Sequence, residues 1–149
     1  MDVDMRILII EARYYEDISD ALLDGAMQTL EKCQGLEIAT ITVPGALEIP
    51  HVISIAEKEA AGYDGYVALG CVIRGETTHY DYVCTESARA LMDLAINNQL
   101  AIGNGIITVE NSDQAWARAD LKKKNKGGFA AETVLRMISI RDEMKATNV

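Results

Sequence analysis

The segment Gly70-Cys-Val-Ile-Arg-Gly-Glu-Thr-Thr-His-Tyr80 holds the densest set of groups able to do chemistry. It brings an imidazole (His79), two hydroxyls (Thr77, Thr78) and a glycine (Gly75) to what reads as the junction of a strand and a helix. Backbone N–H groups at a helix start are unpaired and carry partial positive charge, so such a junction can seat a phosphate. The plainer reading is that Thr77 or Thr78 only caps the helix. The segment lacks the Gly-Lys-Ser/Thr ending of a nucleotide P-loop. Glu76 must turn its carboxylate outward if an anion is held there through the N–H alone. An imidazole, as His79 carries, is the side chain suited to moving protons at neutral pH. His51 follows Pro50 on a helix and reads as packing or surface.

A second loop, Val43-Pro-Gly-Ala-Leu-Glu-Ile-Pro50, offers a rigid turn, backbone amides and the carboxylate of Glu48. Such a turn can read the edge of a flat heterocycle through main-chain hydrogen bonds; a simple Pro-Gly turn is the alternative. Tyr14 and Tyr15 supply aromatic faces for stacking. Arg118 is shaped to hold phosphate bidentately, or lies on a helix surface. Lys126 ends the basic run Lys122-Lys-Lys-Asn-Lys126, which is either a solvated approach to a helix or a local attractor for a small anion. Trp116 is expected to pack on a neighbouring element or subunit.

These groups need elements to position them. Met5 to Glu11 is a short apolar run, as expected of a central parallel strand buried on both faces. Ile18, Leu22, Ala26 and Leu30 recur on one face of a helix that Asp17 can cap. Glu37 to Val43 alternates as a second strand. Pro50 fits the first turn of a helix carrying Val52, Ile53, Ala56 and Ala60 and closed by Gly62. Gly65 to Val72 is a third strand, followed by a helix striped with Cys84, Ala88, Leu91 and Ala95. Ala101 to Val109 is a fourth strand, in which Gly103 and Gly105 permit a close approach. A short helix over Asp113 to Ala119 and a longer one over Gly128 to Met144 complete the chain. Alternating strands and helices predict an α/β protein, a three-layer α/β/α sandwich on a parallel sheet, with ligands beyond the C-terminal strand ends. The loops above lie at those ends.

Length and composition agree. A chain of 149 residues suits one domain, taken here as 1–149, and 25% charged with 49% hydrophobic residues is ordinary for a globular fold. A net charge of −9 disfavours nucleic acid and anionic membranes as partners. No apolar run has the length of a membrane span, and the acidic start is unlike an export signal. Three cysteines without CxxC spacing, beside two histidines, suit thiols in a reducing cytoplasm better than disulfides or zinc.

Taken together, five segments resemble the lumazine synthase family over nearly the whole chain: Glu11-Ala-Arg-Tyr-Tyr15, Val43 to Pro50, Gly70 to Tyr80, Gly103-Asn-Gly-Ile-Ile-Thr-Val-Glu-Asn-Ser-Asp-Gln-Ala115 and Asn125-Lys-Gly127. The resemblance implies a four-stranded parallel sheet of flavodoxin-like topology and a transferase of riboflavin biosynthesis. It would join 5-amino-6-(ribitylamino)uracil to 3,4-dihydroxy-2-butanone 4-phosphate without a metal or organic cofactor. It further implies that Tyr14 stacks on the pyrimidine, and that Ala46, Leu47 and Glu48 line the aminouracil and ribityl site opposite Cys71, Val72 and Ile73. Glu76 and Thr77 would seat the butanone phosphate, and His79 would move protons. Asn104 and Arg118 would reach across a subunit interface, Arg118 to the neighbour's phosphate, with Lys126 nearby. Tyr14 stands where the family commonly has Phe, and Leu47 and Asn104 each replace a frequent Phe, so weaker substrate binding is expected.

The resemblance also implies pentamers with active sites between subunits, which in some members close into an icosahedral shell. The short stretch before the first strand favours isolated or paired pentamers. Two rival readings on the same scaffold are a non-catalytic flavin- or lumazine-binding protein and a purely structural shell protein.

Overall fold

The computed structural model describes residues 4–147. Four parallel strands, β1 (Met5–Ala12), β2 (Leu36–Val43), β3 (Gly65–Ile73) and β4 (Ile102–Val109), lie in the order β2-β1-β3-β4. Five helices alternate with them: α1 (Glu16–Leu30), α2 (Glu48–Lys58), α3 (His79–Asn98), α4 (Ser112–Ala119) and α5 (Lys126–Thr147). The three-layer α/β/α arrangement read from the sequence is the one observed. None of the described helices is long and apolar enough to cross a membrane.

The central strands are apolar in runs because both their faces are covered. Ile7 and Ile9 of β1 join Val67 and Leu69 of β3 in a core with α1, α4 and α5, whereas Leu8 and Ile10 join Tyr66 and Ala68 in a second core with α2 and α3. The α1 stripe of Ile18, Leu22, Ala26 and Leu30 is buried as its spacing predicts. Gly103 and Gly105 do what a missing side chain allows. A Cβ on Gly103 would run into the Ala130 carbonyl, so the backbone of α5 rests directly on β4.

Three local expectations are corrected. Tyr15, not Asp17, occupies the N-cap of α1 and gives no side-chain cap, while Asp17 sits with Glu16 in the first turn, where carboxylates suit the helix dipole. α2 ends at Lys58, because Ala60 turns into the left-handed region at φ 51° and Ala61 N–H reaches back to the Ala56 carbonyl at 3.0 Å. Gly62 therefore belongs to the approach to β3. The buried stripe of α3 is Val83, Ser87 and Leu91, one position from the expected Cys84 and Ala88.

Candidate active site

The strand ends aim three loops at one cleft of about 550 Å³. The β1–α1 loop contributes Tyr14 and Tyr15, the β2–α2 loop Gly45 to Glu48, and β3 with its following loop Cys71, Val72, Ile73, Gly75 and Thr77. His79, Tyr80 and Val83 close it from the start of α3. Tyr14 is 77% exposed and meets Tyr15 in a T-shaped pair, at 4.9 Å between centroids. One face of its ring is therefore open to a flat ligand.

Each wall has a local cause. The Pro-Gly segment turns tightly: Glu48 and Ile49 donate their N–H groups to the carbonyls of Gly45 and Ala46, both at 3.2 Å, and the turn runs straight into α2. In the β3–α3 loop, Thr77 Oγ accepts the His79 N–H at 3.3 Å, and Thr78 occupies the N-cap without a side-chain bond. A Cβ added to Gly75 would meet nothing, so the space above this loop is open. Arg74 braces the loop from behind. Its Nε donates to Glu110 at 2.8 Å and its Nη2 to Asp81 at 3.3 Å, and the guanidinium lies 4.3 Å from the Tyr80 ring centre.

The electrostatics of the cleft distinguish its polar groups. Burial pushes the Cys71 thiol up to about 11, so at neutral pH it faces the cleft as an uncharged group rather than a nucleophilic thiolate. Burial also raises Tyr15, and raises Tyr80 together with its bond to Cys84. Behind Tyr14, the Arg13 guanidinium is held above its ordinary value. Its partial burial acts the other way, but the bonds to Glu11, Glu16 and Asp20 outweigh it.

Comparison with known proteins decides the family. The family model described as 6,7-dimethyl-8-ribityllumazine synthase matches residues 4–142. The chain belongs to the 6,7-dimethyl-8-ribityllumazine synthase family. Among similar proteins of that name, one from Bartonella tribocorum is 62% identical over 135 residues, covering 91% of this chain and 89% of the relative. One from Bartonella henselae is 60% identical over 138 residues, covering 92% and 88%. The 6,7-dimethyl-8-ribityllumazine synthase 1 of Rhizobium meliloti is 55% identical over 146 residues, covering 95% of each.

Of the residues that the lumazine synthase resemblance nominates, Tyr14, Ala46, Leu47, Glu48, Cys71, Val72, Ile73, Thr77 and His79 all line the cleft. Glu76 lies in the same loop, exposed, but is not part of the lining. Asn104, Arg118 and Lys126 are not brought to it by this chain. Asn104 is exposed on the edge strand β4, where its Oδ1 accepts the Ile106 N–H at 3.0 Å. Arg118 bonds the Gln114 carbonyl within α4 at 3.1 Å, and Lys126 opens α5 with its Nζ 5.1 Å from the Phe129 ring centre. Two elements of the site escaped the sequence reading. Tyr80 and Val83 line the cleft through the first turns of α3; the spacing of Val83 four residues after His79 could have signalled the second of them. Glu11 bonds both Arg13, two residues on, and Thr42, which only the pairing of β2 with β1 brings beside it.

Proposed function

We propose that this cleft joins 5-amino-6-(ribitylamino)uracil to 3,4-dihydroxy-2-butanone 4-phosphate, giving 6,7-dimethyl-8-ribityllumazine, inorganic phosphate and water. The observation that carries this reading is the convergence of Tyr14, Ala46 to Glu48, Cys71 to Ile73, Thr77 and His79 on one cleft, in a chain of this family. The open face of Tyr14 takes the pyrimidine ring. Ala46, Leu47 and Glu48 hold the aminouracil and its ribityl chain against Cys71, Val72 and Ile73. Thr77 and the N–H of Glu76 seat the phosphate at the open end over Gly75.

The chemistry asks little of the protein beyond placement. The free amine of the uracil attacks the ketone and water leaves to give an imine. Elimination expels phosphate and leaves an enol, which tautomerises to a ketone. The ribityl-bearing nitrogen attacks that ketone, and a second water leaves as the ring closes. Each step moves a proton, and His79 beside the phosphate seat moves them. Both reactants are intrinsically reactive, so holding them in line contributes more than acid–base work.

We further propose that the working form is a pentamer whose sites lie between subunits. Asn104, Arg118 and Lys126 would then serve a neighbour's cleft rather than their own. The exposed apolar side chains Tyr82, Met92 and Ile96 on α3, and Phe129 and Met137 on α5, give such contacts a surface to bury. The three free thiols suit a reducing cytoplasm.

The test is to supply both substrates to the purified protein and follow lumazine absorbance and fluorescence together with released phosphate. Product and phosphate appearing in equal amounts, only when both substrates are present, support the reading. A folded oligomer that binds flavin but makes no product would instead make it a flavin-binding protein.

A further inference from the structure

Two walls of the cleft are the Tyr14 loop and the Ala46 to Glu48 turn. Behind them stands a single carboxylate. Glu11 is the one charged residue buried in β1, at 4% exposed, in a strand whose Ile7, Leu8, Ile9, Ile10 and Ala12 are all buried and apolar. An apolar side chain would be the inexpensive choice at this position, because burying a carboxylate is costly unless its oxygens are paired. Both are paired here, each to a different wall. Oε1 accepts from Arg13 Nη1 at 2.6 Å, and Oε2 accepts from Thr42 Oγ at 3.0 Å.

These partners lead directly into the two loops. Arg13 precedes Tyr14, and its remaining nitrogens bond Glu16 and Asp20 of α1, so it fixes both ends of the β1–α1 loop. Thr42 is the register partner of Glu11 on β2, just before the turn that carries Ala46, Leu47 and Glu48. Tyr14 itself is mostly exposed and has little packing to hold it, so the position of its ring depends on the backbone that Arg13 anchors.

We propose that Glu11 is a positioning residue, which sets the spacing between the Tyr14 wall and the Ala46 to Glu48 wall and so the affinity for the flat pyrimidine partner. This rests on the condensation proposed above. Glu11 touches no substrate and acts through Arg13 and Thr42. Neither of its hydrogen bonds goes to the β3–α3 loop, where the phosphate seat lies.

The cleanest variant is Thr42→Val, which removes the hydroxyl at nearly constant shape from an exposed position on an edge strand. The expected result is a rise in KM for the aminouracil of about threefold to tenfold, the worth of one hydrogen bond. The KM for the butanone phosphate and kcat stay at their wild-type values, and Thr42→Ser restores the aminouracil KM. Fluorescence titration with the lumazine product should weaken by the same factor, without any turnover being needed. Adding Thr42→Val to Glu11→Leu should cost nothing further, because Glu11→Leu has already removed the acceptor of the Thr42 hydroxyl. An unchanged product affinity in Thr42→Val, equal rises in both KM values, or full additivity of the two changes would overturn the inference. If the wild-type protein makes no product at all, the condensation reading fails, while the titration still decides whether Glu11 sets the spacing.

Discussion

Arg74 and Glu110 join the loop after β3 to the end of β4, Nε to carboxylate at 2.8 Å, and this pair braces the segment that carries Thr77 and His79. Both side chains are more than a third exposed, so the pair is screened by solvent and contributes modestly. Replacing Arg74 with Met should raise KM for the butanone phosphate by about twofold to fivefold at low salt, with the gap to wild type narrowing as ionic strength increases. Steady-state kinetics at two salt concentrations checks this; an effect confined to the aminouracil KM would speak against a brace on the phosphate loop.

His79→Ala should slow turnover by roughly tenfold to a thousandfold without abolishing it, because proton transfer is only part of the rate enhancement. The variant should still bind the lumazine product, since His79 stands exposed at the rim of the cleft rather than supporting its walls. Complete loss of turnover in a folded, product-binding variant would make the imidazole indispensable and would contradict a reaction run mainly by orientation.

Cys71 predicts a pH dependence of stability. The unfolded thiol ionises near 9.0, whereas burial holds the folded one to about 11. Above the lower value the unfolded chain has released a proton that the folded chain still keeps, so stability is full below pH 9 and declines as pH rises through 11. Two units correspond to about 2 to 3 kcal/mol at most. Tyr15 and Tyr66, both raised chiefly by burial, add to the same alkaline decline. Denaturant midpoints should therefore fall between about pH 8 and about pH 10.5, and fall less in Cys71→Ala. The same decline in both proteins would remove the thiol from the explanation.

Gly103→Ala should destabilise the fold by roughly 1 to 3 kcal/mol, since the added methyl meets the Ala130 carbonyl and α5 must back away from β4. Thermal unfolding should show a drop of several degrees, about 2 to 8 °C. An unshifted transition would mean that α5 does not rest on β4 as closely as described.

The sequence was most informative where the cause of a feature is local. The fourfold recurrence of Ile18, Leu22, Ala26 and Leu30 needed only the helical period, and the glycines of β4 needed only the absence of a side chain. The α3 stripe went astray because its outward face carries Tyr82, Met92 and Ile96, so polarity does not mark which side meets water. Neighbouring positions on a helix differ by about 100°, and Cys84, Ala88 and Ala95 offered no contrast with Val83 and Ser87 to decide the phase. The link from Glu11 to Thr42 was beyond reach for a different reason: it depends on β2 pairing with β1 in one register, which no short motif encodes. Most of the cleft lining was legible through the family resemblance, since its loops follow strand ends. Asn104, Arg118 and Lys126 came from that resemblance alone, and the fold of one chain does not bring them to the cleft.

That separation of Arg118 from its own cleft leads to the most direct test. The Arg118→Ala and His79→Ala proteins should each make lumazine slowly when assayed alone with both substrates. Co-assembled in one oligomer, they should regain a substantial fraction of wild-type activity, because some sites then pair an intact His79 from one chain with an intact Arg118 from its neighbour. Activity no greater than the average of the two separate variants would contradict a reaction shared between subunits.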